Sequence, residues 1–178
     1  MSSSWGTAEV ADAAKAEVAA LVRAAQRGDR MAASDLLDLL TPYIGRLCGP
    51  IALQDGPDAT QEALIVIFRS LGQLREPGAL FGWARVIAVR EAVRIARKAA
   101  RTVPDPLDDV PARDDPELAA DVRDVLERLT PAHRAVLVLR DLEGLDERSV
   151  GALLGIPEPT VRTRLFRARR NFRKAWGR

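Results

Sequence analysis

The chain has 178 residues, long enough for one ordinary domain or two small ones and too short for a large enzyme with an inserted cofactor domain. Apolar residues make up 47% of it but aromatics only 4%, a mixture that suits helices packed through small contacts rather than sheets. The net charge of +2 conceals a strong segregation of charge along the chain.

No stretch alternates as a strand, so the expected fold class is all-α, with two small helical domains. Runs such as Leu64 to Phe68 and Ala135 to Leu139 are far below the roughly 20 apolar residues that cross a bilayer, so neither a transmembrane helix nor a membrane partner is expected. Met1 to Thr7 lacks the basic start, apolar core and cleavage site of an export signal, which predicts a cytoplasmic protein. Cys48 and His133 are the single cysteine and the single histidine, so an intrachain disulfide and a Cys/His zinc cluster are excluded. Cys48 reads as a thiol buried in a helix. The carboxylates lie mostly in one linker or on helix surfaces and form no evident nucleophile–base pair, so the expectation is a non-enzyme with no cofactor and no metal.

In chain order, residues 1–16 read as a flexible N-terminus. Glu17 to Gln26 predict a short helix that stops at Gly28 with a left-handed cap, and Asp29 then caps a helix carrying Leu36, Leu40, Ile44 and Leu47 on one face. Pro42, after Thr41, predicts a kink there and not a domain boundary. Gly56 and Pro57 break the chain. Asp58, followed three residues later by Gln61, has the form of a capping box opening a helix that runs to about Leu74.

After the Glu76-Pro77-Gly78 turn, a long helix is expected from about Ala79 to Ala100. Its wheel gathers Val86, Val89, Val93, Ala96 and Ala100, extended by Ala84, Ala88, Ala92, Ile95 and Ala99, into one buried arc. Arg90, Arg94, Arg97 and Arg101 follow one another at spacings of four, three and four and form a cationic stripe. Only Glu91 is available to pair with them at helical spacing, which favours a phosphate or nucleic-acid surface over a merely solvated face.

Residues 102–115 change texture: Pro104, Pro106 and Pro111 stand among Asp105, Asp108, Asp109, Asp114 and Asp115, the mark of an acidic linker. A helix over Pro116 to Leu129 then turns Val122, Val125, Leu126 and Leu129 inward. Thr130-Pro131 is a cap followed by a proline at the first helical position, opening a helix to about Leu142 that ends at Gly144. Asp146 caps a short helix, Gly155 ends it, and a final helix runs to about Trp176 with Val161, Leu165, Ala168 and Phe172 as its apolar stripe.

Gly151, Gly155 and Val161 have the spacing at which a helix-turn-helix needs a small residue at the crossing, a glycine at the turn and an apolar anchor. The second helix carries Arg162, Arg164, Arg167, Arg169, Arg170, Arg173 and Lys174, with no acid after Glu158 along the chain to neutralise them. A cationic helix of this kind gains affinity for DNA by releasing condensed counterions. Arg162, Thr163 and Arg167 point away from the stripe and are the leading DNA-contact candidates, with Thr160 beside them and Arg164 at the stripe's edge.

These residues carry a family resemblance. Leu129 to Leu145 resembles the start of region four of the extracytoplasmic-function (ECF) sigma factors of the sigma-70 family, and Leu153 to Arg169 resembles its recognition unit. Asp58-Ala-Thr-Gln-Glu62 fits the family's Asp-x-x-Gln-Glu signature, and Phe81-Gly-Trp83 with Ile87-Ala88 resembles the segment that melts and reads the downstream (−10) promoter element. The chain departs from the usual pattern at Val86, Arg90 and Arg94, where arginine, asparagine and aspartate are common.

The resemblance implies a region 2-like domain over 17–101, a linker over 102–115 and a region 4-like helix-turn-helix domain over 116–178. It implies a factor that binds core RNA polymerase, through the β and β′ subunits, recognises and melts promoter DNA, and takes an anti-sigma factor as an optional partner. Asp58, Gln61 and Glu62 are carried over as core-polymerase contacts. Trp83, Arg90, Arg94, Arg97 and Arg101 are assigned to the downstream element, and Thr160, Arg162, Thr163, Arg164 and Arg167 to the upstream (−35) element. Two alternatives remain open: a free-standing helix-turn-helix regulator, which would need only the C-terminal half, and a sigma-like partner protein whose melting half serves protein binding.

Overall fold

The computed structural model describes the backbone of residues 5–102 and 118–176 and the side chains of 13–100 and 122–176. Every element among them is helical: α1 (Trp5–Gln26), α2 (Arg30–Ala52), α3 (Gly56–Ser70), α4 (Leu80–Thr102), α5 (Leu118–Glu127), α6 (Pro131–Leu137, continued by a wider turn over Val138–Leu142), α7 (Glu147–Leu154) and α8 (Glu158–Trp176). The acidic linker, including Asp105, Asp108, Asp109, Asp114 and Asp115, lies outside the described residues, as do Pro116 and the side chain of Arg101.

Local signals set most helix ends. Gly28 takes φ +92° after α1, a conformation open to glycine at no steric cost. The Asp29 carboxylate then accepts from the amides of Met31 (2.9 Å) and Ala32 (3.1 Å), two of the donors a helix start leaves unmet. The Thr130 hydroxyl accepts from the His133 amide, and the Asp146 carboxylate from the Ser149 amide. Gly144 and Gly155 close their helices with positive φ.

Three expectations need correction. First, α1 begins at Trp5 and not Glu17, so the stretch read as a flexible N-terminus is helical from Trp5 onward. Ala8, Ala11, Ala13, Ala14 and Ala16 supply the propensity that the missing cap signal concealed. Second, Asp58 does not cap α3. The helix already starts at Gly56, because Pro57 sits in the first turn, where its missing amide costs nothing, and Asp58 is left exposed in that turn. Gly56 is part of the α2–α3 crossing: a Cβ there would stand 3.0 Å from Gly49 Cα. Third, α3 ends at Ser70, and Leu71–Gln73 form a separate tight turn.

Pro42 lies inside α2, as does Pro50, so neither marks a boundary. Leu36, Leu40, Ile44, Leu47 and Ile51 of that helix are fully buried against α3 and α4. The stretch from Arg30 to Gln73 is long and apolar enough by length and composition to cross a bilayer. In the fold it is two α-helices, α2 and α3, separated by the turn at Leu53–Asp55 where Leu53 takes φ +58° and followed by the turn at Leu71–Gln73, and Leu36, Leu40, Ile44, Leu47, Ile51 and Ile67 of it are buried in the core. Small residues, prolines and charged residues interrupt its apolar runs, so no single run in the sequence reaches that length.

The C-terminal helices pack around Val125, Leu129, Val136, Leu139, Val150, Val161 and Leu165. Of these, Val136, Leu139, Val150, Val161 and Leu165 form a single apolar cluster with the buried residues of α2–α4.

Candidate nucleic-acid and polymerase interfaces

In the helix-turn-helix, Gly151 of α7 passes directly under the turn into α8. A Cβ at Gly151 would meet the Ile156 carbonyl oxygen at 2.8 Å and Val161 Cγ2 at 3.6 Å, so only glycine fits the crossing. Gly155 turns the chain at φ +66°, and Val161, Leu165 and Ala168 bury the inner face of α8. That anchoring leaves Arg162, Thr163, Arg167, Arg169 and Arg170 exposed on the outer face.

The charge on that face is less free than its order along the chain implies. Arg162 donates from Nε to Glu147 of α7 (3.0 Å) and from Nη2 to Glu158 one turn back (3.1 Å), and Arg169 pairs with Asp141. The expectation that these arginines lack acidic partners is therefore corrected: Glu147 and Asp141 precede α8 in sequence and are brought beside it by the fold. Exposed pairs of this kind are weak, about 0–1 kcal/mol, so DNA phosphate can displace them. No ion pair engages Arg164 or Arg167 among the described residues. Arg164 is half-buried beneath the helix, and Thr160 is half-buried at its start. The Thr163 hydroxyl bonds back to the Pro159 carbonyl.

His133, on α6, is held below its usual pKa, chiefly by burial and then by the nearby Arg164 and Arg167. Positive potential from α8 thus reaches the neighbouring helix. Phe166, 62% exposed, is a residue that the sequence reading missed. It lies outside the Val161/Leu165/Ala168/Phe172 stripe and one turn from Arg162 and Thr163, a placement visible from the helical wheel alone.

On α4, Arg90, Arg94 and Arg97 are exposed in one row, and Arg94 is tied to Glu91 at 2.7 Å. Ala84, Ala88, Val89, Ala92 and Ala96 form the buried opposite side. Trp83 is half-buried and packs on the core near the start of the helix, while Phe81, more exposed, meets the Tyr43 ring edge-on at 5.2 Å. Val86 is half-buried against the same core.

Asp58, Gln61 and Glu62 are all exposed and occupy one face of α3 at helical spacing. Beside them runs an apolar groove of about 790 Å³ between α2 and α3, lined by Leu37, Thr41, Gln61, Leu64 and Phe68.

Comparison with known proteins agrees with this arrangement. Residues 119–172 match the family "Sigma-70, region 4". The chain is 37% identical over 131 residues to the ECF RNA polymerase sigma factor SigE of Mycolicibacterium smegmatis, covering 67% of this chain and 51% of that protein, so it spans about half of that relative. It is 33% identical over 181 residues to the RNA polymerase sigma-H factor of Pseudomonas aeruginosa, covering 87% of this chain and 91% of that one. Its fold is similar to the sigma factor RpoE in the co-crystal structure with the anti-sigma factor NepR from Bartonella quintana, with TM-score 0.62, 18% identity and coverage of 80% and 94%. A helix-turn-helix with a cationic outer face, joined to a second helical unit and shared along nearly the full length of a sigma factor, places this chain in the ECF sigma factors of the sigma-70 family.

Proposed function

We propose that this chain directs promoter-specific initiation by core RNA polymerase, with the reading helix α8 at the upstream element and α4 at the downstream element. The observation that carries the reading is the Gly151–Ile156 crossing, which holds α8 with its basic face outward, the geometry by which a helix enters the major groove. Arg167, Arg162 and Thr163 are the contacts to the upstream element, supported by Thr160 and Arg164. Trp83, Arg90, Arg94, Arg97 and Arg101 serve the downstream element, where splayed bases stack on aromatic surfaces and cations follow the backbone.

Asp58, Gln61 and Glu62 dock on the polymerase, and the apolar groove beside Gln61 gives that face a desolvated centre of the kind stable interfaces use. The domains run over 17–101 and 116–178, joined by 102–115, with the N-terminal unit now extended back along α1. The factor is non-catalytic and works in the cytoplasm with the polymerase, and it binds no membrane. An anti-sigma factor is a candidate regulator, supported by the RpoE–NepR complex.

The test is promoter-dependent run-off transcription with core polymerase. Wild type is expected to initiate. Asp58→Lys with Glu62→Lys is expected to abolish capture of core polymerase without changing helix content, because both side chains are exposed. Full capture by the folded double variant would overturn the docking assignment, and absence of run-off product from wild type would overturn the function.

A further inference from the structure

Two carboxylates converge on the arginine near the N-terminal end of the reading helix. Glu147 Oε2, from the first turn of α7, stands 3.0 Å from both Nε and Nη2 of Arg162, and Glu158 Oε1, from the first turn of α8, stands 3.1 Å from Nη2. These contacts take up the Nε–Nη2 edge of the guanidinium and leave Nη1 outside them. A free arginine samples many rotamers, and two anchors on one edge restrict it. Glu158 is carried on stiff backbone, because Pro157 and Pro159 lock φ on either side of it.

Charge is graded along α8 as a result. At its start one guanidinium meets two carboxylates, so Arg162 offers no unopposed positive charge there. Further along, Arg164, Arg167, Arg170, Arg173 and Lys174 follow with no acid in α8 after Glu158. In a helix-turn-helix the N-terminal residues of the second helix are the ones that meet base edges. Acids at that end repel phosphate and add nothing to a grip on the DNA backbone. Base edges are the partner they suit.

In the major groove guanine shows the acceptors O6 and N7, and cytosine shows the N4 amino donor; arginine matches the first and a carboxylate the second. Within one G·C pair N4 donates to O6, so a donor and an acceptor emerge side by side at about the 2.9 Å of an N–H···O bond. Glu158 Oε1 and the Arg162 guanidinium lie 3.1 Å apart, an acceptor beside a donor at matching separation. Guanine or thymine against Glu158 would set acceptor against carboxylate, so the pair in reverse orientation is rejected.

We infer that Glu158 and Arg162 act as one reader of a G·C base pair in the upstream element, Glu158 accepting from cytosine N4 while the Nη1 end of Arg162 donates to guanine. Glu147 is the positioning residue that holds Arg162 at the base edge and away from phosphate. The inference deepens the proposed function and rests on its placement of α8 in the major groove. It makes two acids, Glu147 and Glu158, determinants of promoter choice.

The experiment uses holoenzyme assembled from core polymerase and the full chain, transcribing a promoter library randomised across the upstream element, with the productive templates counted by sequencing. Helix content by circular dichroism checks that each variant is folded. Wild type is expected to prefer cytosine at one position, with guanine opposite it. Glu158→Ala is expected to weaken that preference by about fivefold or more, the lower end of what one base-edge contact supplies. Glu158→Gln is expected to admit adenine at the same position, because a glutamine amide matches adenine N6 and N7. Glu147→Gln is expected to raise the use of mismatched elements and flatten the same position. A role confined to holding α7 against α8 would move none of these base preferences.

A preference profile that Glu158→Ala and Glu158→Gln both leave unchanged would overturn the paired reader, as would losses spread evenly over every position with adenine still rejected. Wild type that initiates without any preferred G·C position would overturn it as well, and the proposed function would stand. Absence of product from wild type on every library member would remove the proposed function and this reading with it.

Discussion

Arg162 and Glu147 meet across the helix-turn-helix, Nε to carboxylate at 3.0 Å, although they are 15 residues apart in sequence. Glu147 lies in the first turn of α7, where the helix dipole already favours an acid, so the pair ties the outer face of α8 to the supporting helix. The arginine best placed at the N-terminal end of the reading helix is held by an internal competitor for phosphate.

Glu147→Gln is expected to free Arg162 and to raise affinity for upstream-element DNA a few-fold at low salt. Arg167, with no ion pair among the described residues, is expected to matter more than Arg162 on alanine substitution. Fluorescence anisotropy across a salt series checks both. A phosphate contact lowers the salt slope by about one unit, whereas a base-edge contact costs about 1–3 kcal/mol on the matched sequence only. Equal losses for Arg162→Ala and Arg167→Ala would show that Glu147 exerts no competition.

Gly151→Ala is expected to destabilise the C-terminal half by about 1–3 kcal/mol, the usual range for forcing extra volume into a closed contact. The added methyl meets backbone at 2.8 Å, and backbone cannot swing aside as a side chain can. Thermal unfolding measures the loss. Gly49→Ala, where a Cβ meets nothing within 4 Å of itself, is the control position within a helix.

His133 supplies a pH signature. Its folded pKa lies below the ordinary 6.5, through burial first and then Arg164 and Arg167, so the unfolded chain binds the proton more readily than the folded one. Stability is therefore highest above about 6.5 and falls as the pH drops through the unfolded value toward the folded one. The ring resonances of His133 followed by NMR are expected to titrate below 6.5, and Arg167→Ala is expected to raise that midpoint. A midpoint unmoved by this substitution would show that α8 does not set the potential at α6.

Cys48 is fully buried, with its Sγ 3.7 Å from the Ala88 carbonyl, and burial pushes its thiol pKa up to about 11 from an ordinary 9.0. The native protein is expected to resist thiol reagents at pH 8 and to react on denaturation. Because the folded pKa is the higher one, the neutral thiol stabilises the fold below about 9, and that contribution is lost as pH rises toward about 11. Rapid labelling at pH 8 in the folded state would contradict the buried placement.

The sequence by itself determined the helical class, most helix ends, the helix-turn-helix and the family. Those features rest on local chemistry: an aspartate cap acts within one turn, Gly155 needs only its own φ, and a stripe such as Val161, Leu165 and Ala168 repeats at the helical period. The errors at Trp5 and Asp58 were local too, where alanine propensity and a first-turn proline outweighed the cap signals. Tertiary structure alone decided which charges are free. Glu147 and Asp141 reach α8 only once α6 and α7 fold against it, and no spacing rule along one helix predicts that. It also decided that Arg134 is buried on the Ile51 carbonyl, 83 residues away, and that Glu143 finds Tyr43 at a separation of 100. Contacts at such separations depend on how whole helix faces dock, and burial then makes a single guanidinium or carboxylate decisive because it must find partners where water is excluded.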